Sequence, residues 1–261
     1  MFSISKKFLR LSDKSIKKTI KEKLRQYLSK YLIKIARLKK IQLPDSQKFN
    51  KIIIDTSNYY SLMCDLSIKY NTDKSPYNQN SFRHAYTGIY HFLFKKISND
   101  HLKISEIGIL KNESIKLLRE YFKNSEIFAF DNEPELLNKA KKDNLKNVNY
   151  NLINVKNAKN IVDTFSKLET KFDIIIDDST HVFDDQIRLI TCLHKFLKPG
   201  GSLVVEDIYA ENDESNYFKA LSEYKVFFED IYFIETKHRN VFTPLWNNNK
   251  ILILEKKSTY I

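Results

Sequence analysis

The sequence predicts an α/β fold: a Rossmann-like, seven-stranded, mostly parallel sheet with helices on both faces, plus an N-terminal helical extension. Two observations carry this. From Leu102 onward five apolar runs, LKISEIG, SEIFAFD, VNYNLIN, KFDIIID and GSLVVED, alternate with helical segments. Parallel strands joined by crossover helices are covered on both faces and read in this way. Two later runs, VFFEDIYFIE and KILILEKK, are separated by a polar segment long enough for an antiparallel pair.

Taken in order, the chain begins with a stripe of Ile16, Ile20, Leu24, Leu28, Leu32 and Ile35, with Tyr27, Tyr31 and Leu38 beside it. Spacings of three and four predict a helix from about Asp13 to Lys40, and its other faces are almost entirely Lys and Arg. Residues 1–40 hold 14 Lys or Arg against Asp13 and Glu22, so they carry the whole formal net charge of +12 and the remainder balances. A basic groove across the body, which nucleic-acid binding would need, is therefore not evident in the charge. A basic amphipathic helix suits an anionic membrane surface, a partner or second subunit, nucleic acid, or simple packing on its own domain. Leu43-Pro44-Asp45 ends it, because proline disfavours helix at the preceding residue, and the first boundary falls at residue 44.

Residues 45–100 read as a helical leader, with helices over about 58–70 and Ser81 to Lys96. Between them lies the loop Asn71-Thr72-Asp73-Lys74-Ser75-Pro76, too long and too specific in type to ignore, although Asp and Lys beside Pro in a loop are usually solvated charges. Residues 101–261 form the core, its helices predicted at Glu113 to Phe122, Pro134 to Lys142, Ala158 to Leu168, Val182 to Leu197 and Ser215 to Tyr224. The only two cysteines are Cys64 and Cys192, with no CxxC spacing, which argues against a disulfide framework or a zinc site and for a reducing compartment. No apolar run approaches a membrane span, and the N-terminus lacks a signal peptide's apolar core. The expectation is a cytoplasmic protein, with the basic helix permitting peripheral attachment to the inner membrane face.

Open sheets of this kind bind ligands outside the carboxyl ends of their strands, near the switch point in strand order. At those ends stand Glu106 and Gly108, then Asp131, then Asn154, then Asp177, Asp178 and His181, and last Glu206 and Asp207. Gly108 lets backbone approach a ligand closely, and Asp131 is placed to accept hydrogen bonds from ribose hydroxyls. The turn EIGILKNES holds one glycine, so it offers no GxGxxG cradle for a pyrophosphate. The same placement serves dinucleotides and S-adenosylmethionine; the missing cradle argues against a dinucleotide, S-adenosylmethionine has no phosphate to cradle, and Glu106 and Asp131 taken singly also read as solvated strand ends.

The order EIG, FAFD, Asn154, IIDDSTH, LKPGG and VVEDI resembles the class I S-adenosylmethionine-dependent methyltransferases. Upstream, LSIKYNTDKS followed by HAYTGIYHFLF is similar to the leader of the metal-dependent, mycinamicin-type macrolide-sugar O-methyltransferases, and the likeness covers about residues 60–256. It implies Mg²⁺ ligation by Asp178, Glu206 and Asp207, a catalytic base at His181, and cofactor contacts from Glu106, Gly108, Asp131, Asn154 and Asp177. Two departures stand out: LKNES occupies the place of a usual second glycine, and Asn154 the place of an aspartate.

Physical chemistry supports the same roles. Neighbouring strand ends bring Asp178 near Glu206 and Asp207, and a hard divalent cation relieves the repulsion of crowded carboxylates. All-oxygen ligation favours Mg²⁺ or Ca²⁺ over zinc, and a site with positions open for substrate favours Mg²⁺ or Mn²⁺. His181 titrates near neutrality and can take a hydroxyl proton. Asp177 points toward the cofactor or caps the following helix, a role Ser179 or Thr180 could share. His84, His91, His101, His194 and His238 show no ligating spacing, while Trp246 suits a substrate pocket or an aromatic of core or lid. The expected activity is methyl transfer to a sugar hydroxyl in a small molecule or glycan; methylation of RNA and a non-catalytic scaffold are the alternatives.

Overall fold

Strands form wherever β-branched and aromatic residues run between turn residues, and the alternation of their side chains decides what each face carries. The computed structural model describes residues 4–36 and 50–258, the side chains of the first stretch from 18 to 35. In chain order the elements are α1 (Ile4–Ala36), β1 (Asn50–Asp55), α2 (Leu62–Tyr70), α3 (Tyr86–Phe94), β2 (Lys103–Ile107), α4 (Glu113–Tyr121), β3 (Glu126–Asp131), α5 (Pro134–Lys141), β4 (Val148–Leu152), α6 (Ala158–Ser166), β5 (Phe172–Asp177), α7 (Phe183–Leu193), β6 (Leu197–Ile208), α8 (Glu214–Ala220), β7 (Phe228–Lys237) and β8 (Lys250–Lys256).

The chain divides into two units between Ser46 and Gln47. In the first, α1 starts nine residues earlier than its apolar stripe suggests, while Leu38, Lys40 and the Leu43-Pro44-Asp45 break lie outside the described residues. Ile20, Leu24, Leu28, Leu32 and Ile35 are all exposed on it. Among the described residues no helix is long and apolar enough to cross a membrane.

The second unit is built on one sheet ordered β1-β7-β8-β6-β5-β2-β3-β4. Every pairing is parallel except those of β8 with β6 and β7. The expected hairpin-like pair is therefore present, but the sheet has eight strands rather than seven. The additional one, NKIIID, lies in the stretch read as a helical leader and pairs in parallel with β7 at the edge. Its partner is far away in sequence, and no local pattern announces that contact.

Alternation along the strands builds two cores. Ile104, Ile127, Ile174, Ile176, Val204 and Ile253 face one side with Met63, Tyr86 and Tyr90. Phe128, Phe130, Ile175, Leu203, Val205 and Leu252 face the other with Phe165, Leu189 and Tyr217. Continuing the first alternation by two residues places Glu106, Asp178 and Glu206 on the face covered by α2 and α3. The strand order reverses between β2 and β5, so the chain ends flanking that switch point belong to Gly108 and Asp178.

Candidate active site and metal centre

The carboxyl ends of β2 and β5 meet almost without clearance. Gly108 has φ +92°, and a Cβ there would lie 2.1 Å from the carbonyl oxygen of Asp178. Its amide donates to Phe130 O at 2.8 Å, and the Asp178 amide donates to Ile107 O at 2.9 Å. Glycine is needed for this backbone approach as much as for a ligand. The turn continues through Leu110 (φ 42°) and Asn112 (φ 68°), so residues with side chains take the left-handed conformations where a second glycine was expected.

Beyond this seam opens a cavity of about 480 Å³, lined among others by Gly108, Asp131, Asp178, His181 and Asp207. Asp131 is buried at the end of β3. Its Oδ2 accepts from the Ile109 amide and its Oδ1 from the Glu133 amide, each at 3.0 Å, which fixes the carboxylate at the cavity wall. The other predicted cofactor contacts are placed differently. Glu106 is fully buried and does not line the cavity. Burial pushes its carboxyl up to about 7 against the pull of Lys74. Asn154 is exposed, and its Oδ1 accepts from the Lys156 amide at 3.0 Å, while Ile153 and Val155 on either side line the cavity. Asp177 lies on the opposite sheet face from Asp178, and its Oδ1 accepts from the amide and hydroxyl of Ser179. These bonds hold the turn after β5 and do not cap α7, whose N-cap is Val182.

Asp178, His181 and Asp207 converge: one ligand-type atom from each lies within 4.8 Å of the others. His181 Nε2 is 3.2 Å from Asp178 Oδ1 and 3.5 Å from Asp207 Oδ2. Burial alone would lower the imidazole's affinity for its proton, but Asp178, Asp207 and Asp177 outweigh it and raise His181 to about 9. Asp207 reaches this group because β6 departs from its register with β8 between Val205 and Ile208, and its backbone takes φ 55°. Strict alternation would have sent it to the other face.

Glu206, the third predicted ligand, is not part of the convergent group. Its Oε1 accepts from Tyr90 Oη and its Oε2 from Lys74 Nζ. Lys74 also donates to Asp178 Oδ2 at 2.6 Å and lies 3.3 Å from Glu106 Oε1. Burial opposes a charged ammonium there, yet Asp178, Glu206 and Glu106 hold Lys74 well above its ordinary range. Burial would likewise raise Asp178; Lys74 and His181 instead bring it down to about 2.

Lys74 corrects the reading of its loop as solvated. It is buried, and its carbonyl accepts from the amides of Tyr86 and Thr87, so the loop hangs from the start of α3. Tyr86 and Tyr90, four apart on α3, present one face. Tyr86 Oη donates to Asp207 Oδ1 at 2.5 Å, while Tyr90 takes Glu206. His84 stacks on Tyr86, with Nδ1 3.5 Å from Asp207 Oδ1. Sequence spacing did not single out Lys74, Tyr86, Tyr90 or His84. The available signal was strand parity, which collects three carboxylates on the face that α3 covers.

Residues 112–255 match the family described as a methyltransferase domain. The chain belongs to that family, and its fold is that of the class I S-adenosylmethionine-dependent methyltransferases. Among curated proteins, this methyltransferase-family chain is 24% identical over 154 residues to mycinamicin VI 2''-O-methyltransferase of Micromonospora griseorubida. That match covers 56% of the chain and 36% of the relative. Among solved structures it is similar to the MycE methyltransferase of the mycinamycin biosynthetic pathway in complex with Mg and SAH, at 18% identity and TM-score 0.54, over 75% of the chain and 54% of that structure. The complex that also holds mycinamycin VI gives 17% and 0.55, over 76% and 55%. The chain thus spans about half of the solved relative's length and about a third of the curated one.

Proposed function

We propose that this chain transfers the methyl group of S-adenosylmethionine to a hydroxyl of a sugar, in a glycoside, nucleotide sugar or polysaccharide precursor, with the help of a divalent cation such as Mg²⁺. The single observation that carries this reading is the shared cavity. Gly108 and Asp131, suited to a nucleoside, line the same space as Asp178, His181 and Asp207. The likeness to an enzyme named for sugar O-methylation, at low identity and partial coverage, supports the acceptor class.

In this reading Asp131 offers acceptors to two ribose hydroxyls, and the Gly108 turn lets the cofactor approach the sheet edge. S-adenosylmethionine supplies an electrophilic methyl group on its sulfonium. The carboxylates of Asp178 and Asp207, with oxygens within 4.8 Å of each other, fit a hard cation and leave His181 beside it. Asp178 and Asp207 are the residues that would hold it. A divalent cation there would offset the carboxylate charge that keeps a proton on His181 and would stabilise a developing sugar oxyanion. His181 Nε2, once free of its proton, takes one from the acceptor hydroxyl. Tyr86, on which His84 stacks, holds Asp207 through its hydroxyl.

The charge distribution favours this reading over methylation of RNA, because the basic excess lies in residues 1–40. The exposed side chains of α1 between residues 18 and 35 include Lys18, Lys21, Lys23, Arg25, Lys30 and Lys34 against Glu22 alone. A second copy of the helix would repel that charge, so we read its apolar stripe as a contact for an anionic membrane surface. The test of the activity is incubation with labelled S-adenosylmethionine, Mg²⁺ and a panel of nucleotide sugars and glycosides. Metal-dependent transfer to a hydroxyl is expected. Calorimetry showing no binding of S-adenosylmethionine would overturn the reading entirely.

A further inference from the structure

Strand parity places Glu106, Asp178 and Glu206 on one buried face, and the structure answers them with a single lysine. Lys74 Nζ reaches all three: Asp178 Oδ2 at 2.6 Å, Glu106 Oε1 at 3.3 Å, and Glu206 Oε2 by a short hydrogen bond. With Tyr90 on its other oxygen, Glu206 has both carboxylate oxygens engaged by internal donors. Asp178 is divided, one oxygen to Lys74 and one to His181. We infer that Lys74 is an internal counter-cation that withholds Glu206 from the divalent site and competes with the metal for Asp178, so that it sets the metal affinity of the centre.

The inference rests on the metal reading given above. A buried ammonium can neutralise crowded carboxylates, but it cannot share one oxygen's lone pairs with a divalent ion without like-charge repulsion. Its position is not accidental side-chain drift, because the Lys74 carbonyl is bonded by two amides at the start of α3, the helix whose tyrosines bind Glu206 and Asp207. Lys74 is therefore a positioning residue. Its ammonium touches the three carboxylates.

A lysine that merely supports the fold and one that competes with metal predict opposite signs. Mn²⁺ alone is titrated calorimetrically into the full chain, with far-UV circular dichroism confirming that each variant is folded. Lys74→Gln is expected to tighten Mn²⁺ binding by about tenfold or more, by removing one nearby positive charge. Lys74→Arg keeps the charge and is expected to stay near the wild type. Glu206→Gln in the wild-type background is expected to change the affinity by less than about threefold, whereas in the Lys74→Gln background it removes the gain.

Unchanged or weaker binding by folded Lys74→Gln overturns the inference while leaving the metal reading intact. If Lys74→Gln does not fold, Glu206→Gln still decides: a loss of tenfold or more makes Glu206 a ligand in the presence of Lys74 and overturns the inference, and retained affinity supports it. If neither the wild type nor any folded variant binds Mn²⁺, the metal reading falls and the role of Lys74 falls with it.

Discussion

His181 and Asp207 face each other at 3.5 Å across the ends of β5 and β6, and both hold left-handed backbones, with φ of 59° and 55°. Residues with a Cβ pay for that conformation, and such outliers gather where geometry serves chemistry. Here the two distortions turn an imidazole and a carboxylate toward one point. His181→Ala should remove that imidazole and lower kcat by roughly 10²–10⁴-fold, the range for loss of a general base. Binding of S-adenosylmethionine, measured by calorimetry, should be retained. Full activity in this variant would exclude His181 as the base.

Protonation of the same imidazole gives a second expectation. In metal-free protein His181 should titrate at about 9 by NMR, because Asp178 and Asp207 outweigh its burial. Asp178→Asn should bring it back toward the ordinary value. Since the folded-state value lies above the unfolded one of about 6.5, the associated stabilisation is fully present below that pH and is lost as the pH rises through about 9. Thermal melts across pH 6 to 10 should show the decline in the wild type, with a shallower one in His181→Gln.

Gly108 supplies a third. A methyl group would be driven against the Asp178 carbonyl, 2.1 Å from the ideal Cβ position, and φ +92° is unfavourable for alanine in any case. Gly108→Ala should therefore destabilise the domain by about 2 kcal/mol or more. Because Asp178 moves with the seam, cofactor binding should weaken in the same variant. A chemical-denaturation midpoint equal to the wild type's would contradict this account of the switch point.

Much of this was legible because it follows from period and punctuation. The apolar runs carrying Glu106, Asp131, Asp177 and Glu206 are strands, and the cavity lies at the carboxyl ends to which their order pointed. What escaped was long-range or depended on one dihedral. NKIIID pairs with a strand near the other end of the chain. Lys74 is a polar loop residue by composition, and only the assembled sheet gives it three carboxylates to neutralise. The acids of DD and ED were read by resemblance as a metal trio with Asp177 apart. Parity alone puts Asp178 and Glu206 together and Asp177 opposite, and it fails at Asp207, where the register shift in β6 intervenes. A left-handed turn at a residue other than glycine has no sequence signature strong enough to predict.

The apolar stripe of α1 leads to a final expectation. Leu24 and Leu28 are about half exposed, at 56% and 48%, on a helix whose charged residues are mainly Lys and Arg. If that surface meets anionic lipid, the full chain should co-sediment with vesicles containing phosphatidylglycerol and not with phosphatidylcholine alone, and high salt should weaken the association. Replacing both leucines by glutamate removes apolar area and reverses local charge, and should abolish sedimentation while leaving S-adenosylmethionine binding unchanged. Equal sedimentation of variant and wild type would rule out the helix as the lipid contact. Loss of a dimer in the variant, seen by analytical ultracentrifugation without lipid, would assign the stripe to a second copy of the chain instead.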